Sequence, residues 1–444
     1  MTAATESATD AAGTAAAVLP PGPRLPRALQ GAAAIANRRG ALRALQRRYG
    51  TAFTISMPTF GRVVVLSEPS EVKALFTMSP DLADNTDVNL GRVLGDNSMF
   101  ALTDARHRKH RKMLVPPFHG RRLAAYESAM VQATRAETAT WDEGREFASL
   151  PAMMRVTIDI ILRTVFGAEG DELEELRRLL PRWVELGSKL AVVPIPDVRL
   201  GGHAPWEVFR RDRARYDRIV DSLIERARRD PALDERDDVL ALLLQARYDD
   251  GSALTRDEIA DQLVTLLTAG HETTATSLAW ILERLRRHPD VLARLVAEVD
   301  GDGTELLAAV ITETQRTRPV IDVTFRQVRA ESLQLGRWTF PRGTMLMPAI
   351  GLIHSDPSLF ADPERFDPGR FVGTRPDTFA WIPFGGGVRR CIGAAFADME
   401  MRVVLRTLLR EFELMPTDAP DEKFHSRGIA YAPKRGGRIT VRRR

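Results

Sequence analysis

The sequence predicts a mostly α fold with a small β region. Three observations carry this expectation. From about 103 to 300, apolar residues recur at helical spacing almost without interruption. Strand-like runs are few and short, and gather near 51–67 and 323–348. The chain has 444 residues, 44% hydrophobic and 27% charged, the balance of a globular protein large enough to bury a core without staples. The organisation expected is a disordered N-terminal tail over 1–18 followed by a single domain over 19–444.

The elements follow in order. Residues 1–17 are rich in Ala and Thr and lack the basic start and apolar run of a signal peptide. No uncharged apolar stretch reaches the roughly 18 residues needed to cross a bilayer, so a cytoplasmic protein without a membrane span is expected. Pro20, Pro21, Gly22 and Pro23 mark where the ordered chain begins. Residues 39–49 read as a basic helix, and 51–57 and 61–67 as strands around a Pro58-Thr59-Phe60-Gly61 turn. Helices are expected over 103–118, 119–142, 149–167, 170–190, 204–230 and 237–247, separated by Pro, Gly or Asp clusters.

The longest expected helix covers 255–287. It opens with the capping box Thr255-Arg256-Asp257-Glu258, and Pro289 lies just past its end. Its length, about 50 Å at roughly 1.5 Å per residue, would carry its middle to the centre of the molecule. A helix over 304–317 follows, then strands over 323–329, 333–335, 338–341 and 345–348. Residues 354–390 are rich in Pro and Gly with little periodicity, and so long a loop is usually functional. A helix from about 393 to 411 and a last strand near 437–442 complete the chain.

Composition excludes several functions. A net charge of +4 is too mild to indicate nucleic acid. The basic residues are 57 Arg and 6 Lys, an imbalance that genome base composition explains. A single cysteine, Cys391, rules out an intrachain disulfide and any structural zinc site built on several thiolates.

Cys391 follows Phe384-Gly385-Gly386-Gly387-Val388-Arg389-Arg390 and precedes Ile392-Gly393. Consecutive glycines allow tight turning and close approach. A helix starting just after the cysteine, with two arginines before it, predicts a lowered thiol pKa. The residues alone leave three readings open: a buried structural thiol, a nucleophile with a histidine partner, or an axial thiolate ligand to haem iron.

The segment resembles the haem-binding signature of the cytochrome P450 family, F-x-x-G-x-R-x-C-x-G. Phe384, Gly387, Arg389, Cys391 and Gly393 fall on its positions, and Ala397 and Glu400 match its extension into the next helix. Three further motifs occur in family order. Glu313 and Arg316 share a helix face and match E-x-x-R. In the family this pair is structural, is joined by a downstream arginine, and holds the cysteine loop. Arg370 in Phe366-Asp367-Pro368-Gly369-Arg370-Phe371 is assigned as that arginine, and Pro363-Glu364-Arg365-Phe366 is a decoy of similar spelling. Ala269-Gly270-His271-Glu272-Thr273-Thr274, at the centre of the long helix, resembles the A-G-x-[DE]-T-[TS] oxygen-activation motif. The resemblance implies a widened helix there, with Ala269 and Gly270 against the haem, Thr273 bonding to dioxygen and Glu272 relaying protons. His107 and Arg111 match the H-x-x-x-R that holds haem propionates, and Arg326 and Arg389 resemble further propionate partners.

The resemblance implies the family's triangular, mostly helical fold, with haem b buried between the long central helix and the cysteine-loop helix. It implies a monooxygenase that inserts one atom of O2 into a small hydrophobic substrate. Electrons would come from NAD(P)H through a ferredoxin or flavodoxin-type donor and its reductase, because 444 residues with one cysteine leave no room for a flavin or iron–sulfur domain. Arg106, Arg108, Lys109 and Lys112 would offer that donor a basic surface. A monomer is expected. The alternatives are a peroxide-driven peroxygenase, a non-catalytic haem protein that binds a ligand, and a plain cysteine nucleophile. The substrate pocket is expected from residues 85–102, 183–205, Leu266, Ala269, 320–323 and the vicinity of Ile429, with 191–206 as a mobile lid.

Overall fold

The run Val63-Val64-Val65-Leu66 is buried at every position, which requires cover on both faces of its strand and places it inside a sheet. The computed structural model describes residues 18–57, 60–86, 90–167, 170–192, 197 and 204–444. The chain divides into two units, Met1–Asp84 with Phe325–Pro348, and Asn85–Thr324 with Ala349–Arg444. In the first unit, Gly61–Leu66 lies between Ala52–Met57, antiparallel, and Met345–Pro348, parallel. Arg326–Val328 and Ala83–Asp84 complete the five-stranded sheet. Ser332–Leu335 and Trp338–Pro341 form a separate hairpin. The expected tail over 1–18 lies outside the described residues except at Val18, which exchanges two 3.1 Å backbone hydrogen bonds with Thr339.

Helix α1, Arg27–Tyr49, is longer than the expected 39–49 and kinks at Asn37 (φ −157°, ψ 74°). The Asn37 side chain accepts from the Gly40 N–H at 3.0 Å, which is N-cap geometry. The sequence therefore placed the start of the second segment correctly and missed the first. Helix α2, Pro69–Thr77, was also missed; Pro69 occupies its first turn, where a missing N–H costs nothing.

The second unit is helical. Its helices are α3 Leu90–Leu94, α4 Asp104–Leu114, α5 Arg121–Ala125, α6 Glu127–Thr138, α7 Ser149–Phe166, α8 Asp171–Val192, α9 Pro205–Arg228, α10 Val239–Gln245, α11 Arg256–Leu285, α12 Pro289–Asp300, α13 Glu305–Thr317, α14 Ile350–Ile353 and α15 Ala394–Glu411. Two differences from expectation have the same cause. The expected 119–142 helix is broken near Tyr126 into α5 and α6, and Pro289 begins α12 instead of only ending its predecessor. Both are boundary effects that periodicity does not resolve. The last strand is likewise two short pieces, Arg438–Ile439 against Phe147–Ala148 and Val441–Arg443 against Phe412–Leu414.

The capping box of α11 is formed: Glu258 N–H donates to Thr255 Oγ1 at 3.2 Å, and Thr255 N–H to Glu258 Oε2 at 2.8 Å. Most residues of α11 are buried, as expected of a helix at the heart of a helical body. Its closest neighbour is α7. A Cβ on Gly270 would stand 3.0 Å from Ile161 Cδ1, and the Thr157 hydroxyl donates to the His271 carbonyl at 3.0 Å. The mid-helix glycine is thus explained by helix–helix approach.

A buried ion cluster anchors the long irregular segment. Glu313 and Arg316 on α13 are fully buried and pair twice at 2.7 Å. Arg370 reaches the same carboxylate at 3.3 Å, and the Asp367 N–H donates to it at 2.9 Å. Arg316 also donates to the carbonyls of His354, Pro363 and Arg365 at 2.8, 2.8 and 3.2 Å. The decoy arginine therefore takes part only through its backbone.

On α15, Glu400 is 1% exposed, and Thr274 is the one polar side chain that approaches its carboxyl among the described residues, short of good hydrogen-bond geometry. Burial pushes its carboxyl well above the usual carboxylate range, opposed only by the Thr274 hydroxyl.

Two stability predictions follow. Glu313→Gln leaves two guanidiniums facing an amide, and losing one partner of a buried pair costs about 3–5 kcal/mol. Glu411→Gln, at the exposed Arg135–Glu411 pair, costs under about 1 kcal/mol. Urea midpoints check this, and equal losses for the two variants refute it. The folded pKa of Glu400 is raised, so its contribution is present at low pH and is lost as pH rises above the ordinary glutamate value. Glu400→Gln removes that loss. The variant's stability relative to the parent must therefore increase from mildly acidic to neutral pH; a flat difference overturns the assignment.

Candidate active site

The loop before α15 owes its shape to two glycines. Gly385 (φ +66°) and Gly387 (φ +64°) occupy the left-handed region, which costs a side-chain-bearing residue about 1–2 kcal/mol. The resulting turn is closed by Cys391 N–H donating to the Phe384 carbonyl at 2.9 Å and Gly385 N–H to the Ile382 carbonyl at 3.0 Å. A Cβ on Gly385 or on Gly393 would meet nothing within 4 Å, so at both positions space, not contact, lies beside the backbone.

The loop is tied to the buried ion cluster through a residue the sequence reading did not single out. The His354 carbonyl accepts from Arg316 at 2.8 Å, and its Nε2 accepts from the Ile382 N–H at 2.9 Å. The Trp381 indole donates to the Thr312 carbonyl at 3.1 Å. Phe384 packs edge-on against Trp381, ring centroids 6.1 Å apart. No local pattern marks His354, because both of its partners are distant in sequence.

Cys391 is exposed by accessible area, yet enough protein surrounds it that desolvation dominates its titration. Together these place the thiol on the floor of a recess, not on an open face. The expected lowered thiol pKa is corrected. Burial pushes the Cys391 thiol up, and the Gly393 N–H, Arg111 and Arg390 oppose this without reversing it. Helix start and arginines act as predicted, but from sequence the desolvation could not be weighed.

The geometry gathers the cationic residues near the thiol. Arg111 feels the charges of Cys391, Arg389 and Arg390, and burial makes it a weaker base than an ordinary guanidinium. Arg389 donates to the Met99 carbonyl at 3.2 Å. His107, one turn before Arg111 on α4, is 3% exposed. The adjoining face of α4 is pinned by His110, which meets Gln262 at 3.0 Å and the Tyr248 hydroxyl at 3.2 Å. Burial lowers the His110 pKa, so its 3.5 Å approach to Glu258 is a contact of a neutral ring. Arg326 belongs to the first unit, where its guanidinium lies 5.3 Å from the Phe76 ring centroid.

Along α11 a stripe of partial accessibility runs on one face, beside Thr268 and Gly270, which are also partly accessible. Ala269, Thr273 and Ser277 are partly accessible, each four residues from the next, hence on one face. The Thr273 hydroxyl donates to the Ala269 carbonyl at 2.7 Å, and Ser277 to the Thr273 carbonyl at 3.0 Å. Such back-bonding bends helices. The implied widening is not registered as a break, however; α11 is helical throughout. Glu272, the residue before Thr273, is held in an ion pair 2.8 Å from Arg427, a partner that no motif announced.

A soft thiol on a recess floor, arginines beside it and a small, hydroxyl-bearing helix face form a donor set suited to a haem: one axial sulfur and cations for carboxylates. Of the expected pocket, residues 87–89, 193–196 and 198–203 lie outside the described residues, and with them most of the proposed lid. Asp197 within it is bridged to Arg92 and Arg210, each at 2.7 Å. Asp322 is buried, and its carbonyl accepts from the Gly351 N–H at 3.0 Å. No described helix is long and apolar enough to cross a membrane.

Comparison with known proteins agrees with this chemistry. Residues 20–439 match the family model described as Cytochrome P450. A Mycobacterium tuberculosis protein provisionally named cytochrome P450 138 is 52% identical over 426 residues, 96% of this chain and 97% of that one. A second from the same organism, provisionally named cytochrome P450 135B1, is 41% identical over 440 residues, 97% and 93% of the two chains. Among solved structures, the retinoic acid-bound cyanobacterial CYP120A1 superposes with a TM-score of 0.84 at 27% identity, covering 96% of this chain and 100% of that chain. The chain belongs to the cytochrome P450 family of haem-thiolate monooxygenases.

Proposed function

We propose that this protein oxidises a small hydrophobic molecule with O2, with Cys391 as the axial ligand of its haem. The observation that carries the reading is the accessible thiol on the recess floor, held by a loop bonded through His354 to the buried Glu313–Arg316 pair. The balance is substrate, O2, two electrons and two protons giving hydroxylated substrate and water. A thiolate-ligated haem supplies the electron density that favours O–O cleavage.

The residues of this chain do the rest. Phe384, Gly387 and Gly393 shape the loop that presents the sulfur. His107, Arg111 and Arg389 would hold the carboxylates of the macrocycle, the two arginines as half-buried cations. Ala269 keeps the facing helix surface small. Thr273 holds a hydroxyl one turn further along the accessible stripe, where it can pass a proton, and Glu272 supplies the carboxylate that refills it. An apolar substrate suits the buried Leu266 and Val323; the CYP120A1 structure, described with retinoic acid bound, agrees with such a ligand.

Electrons come from a separate protein, a ferredoxin or flavodoxin-type donor served by a reductase using NAD(P)H. Its single cysteine cannot supply the several thiolates that an iron–sulfur cluster needs. Arg106, Arg108 and Lys109 on α4 are exposed, while Lys112 is partly neutralised by Asp249 at 2.9 Å. Three exposed cations on one helix favour an acidic donor.

Two measurements test the reading. The purified protein, reduced and treated with carbon monoxide, is expected to show the red-shifted Soret band of a thiolate-ligated haem, and Cys391→Ala to abolish it; survival of the band in the variant refutes the ligand. Thr273→Ala is expected to keep that band while diverting reducing equivalents from product to peroxide. Unchanged coupling of NADPH to product counts against the hydroxyl's role.

A further inference from the structure

Arg427 lies at the tip of a hairpin whose strands, Phe424–Ser426 and Tyr431–Pro433, pair antiparallel. Its N–H closes the turn on the Ala430 carbonyl at 2.9 Å. Its guanidinium stands between carboxylates on two different helices. Nε donates to Glu272 Oε1 on α11 at 2.8 Å, and Nη2 to Glu185 Oε2 on α8 at 3.2 Å. The two contacts are unequal. The Glu272 side chain is 9% exposed and that of Glu185 39%, so solvent screens the outer pair far more than the inner one. Lys189 competes for Glu185 at 2.7 Å.

The tip is also docked on α8 through its backbone. The Ile429 N–H donates to Ser188 Oγ at 3.0 Å. Gly428 (φ +109°) comes so near that a Cβ there would stand 2.9 Å from the Ser188 backbone. Helix α8 therefore holds the hairpin tip, and the hairpin tip holds the acid of α11. The bond to Arg427 engages Oε1 of Glu272.

We propose that Arg427 is a positioning residue for proton delivery: it fixes the carboxylate of Glu272, the residue before Thr273, and ties that placement to α8 through Glu185 and Ser188. The proposal rests on the acid role given to Glu272 above. A glutamate without this clamp could turn to other rotamers, and the water chain it serves would lose its fixed end. A displacement of α8 would be transmitted to Glu272 through one guanidinium.

The test uses the haem-loaded enzyme with Arg427→Gln, Arg427→Lys, Glu185→Gln, Glu272→Gln and the double variant Arg427→Gln/Glu272→Gln. Each is first shown to keep the thiolate-type carbon monoxide band. Arg427→Gln is expected to raise the peroxide share and the solvent deuterium isotope effect on turnover several-fold, with Arg427→Lys recovering part of the loss. The double variant is expected to be no worse than Glu272→Gln alone, since both changes act on one carboxylate. Amide hydrogen exchange around Ser188 and at the hairpin tip is expected to rise in Arg427→Gln and Glu185→Gln but not in Glu272→Gln.

Wild-type coupling in Arg427→Gln while Glu272→Gln is uncoupled overturns the positioning role and leaves the acid role standing. Additive losses in the double variant overturn it as well. Wild-type coupling in Glu272→Gln removes the acid role and this proposal with it. Should Arg427→Gln not fold, Glu185→Gln decides: unchanged exchange at the tip overturns the link to α8.

Discussion

Arg316 uses all five of its N–H donors without contact with solvent. Two go to the Glu313 carboxylate and three to the carbonyls of His354, Pro363 and Arg365. A guanidinium is rarely buried unless paired, and here the pairing with Glu313 settles the charge while the fixed fork of donors settles geometry. Three carbonyls of a segment without regular structure are thereby held at one point. Because His354 passes the constraint to Ile382, and Ile382 to Gly385, the cysteine loop inherits its position from a charge pair on a different helix. Removing either ion would leave the other buried alone, so the pair and the loop stand or fall together.

The long helix α11 meets a different demand. It crosses a packed interior, where polar side chains are costly, yet it carries Glu272, Thr273 and Ser277 near its middle. Each has a stated compensation: Arg427 for the acid, and carbonyls one turn earlier on the same helix for the two hydroxyls. Gly270, on the flank of the accessible stripe, lets α7 approach closely. The buried carboxylates elsewhere on the helix are also partnered, Asp261 by Arg213 and Glu283 by Arg284 and Arg287.

Electrostatics around the thiol is a contest between burial and charge. Burial outweighs the helix start and the arginines at Cys391; a bound cation such as haem iron would favour the deprotonated sulfur instead. The same low-dielectric surroundings push the Glu400 carboxyl up, with Thr274 opposing. Two carboxyls near the threonine pair therefore differ in kind, one held by a guanidinium and the other a buried acid without a counter-ion.

Much of this was legible before any coordinates. The capping box at Thr255, the glycines flanking the loop, the shared face of Glu313 and Arg316 and the choice of Arg370 over Arg365 depend on spacings of a few residues or on register to Cys391. Local geometry dictates these, so the sequence by itself determined them, together with the mostly helical fold and the family. The tertiary structure alone decided which distant groups meet. Arg427 and Glu272 are 155 residues apart, and His110 and Gln262 are 152 apart. His354 takes bonds from two separate segments, and the direction of the Cys391 pKa shift depends on every atom packed around the sulfur. Such contacts follow from how helices stack, and desolvation is a sum over neighbours in space, which no short window of sequence contains.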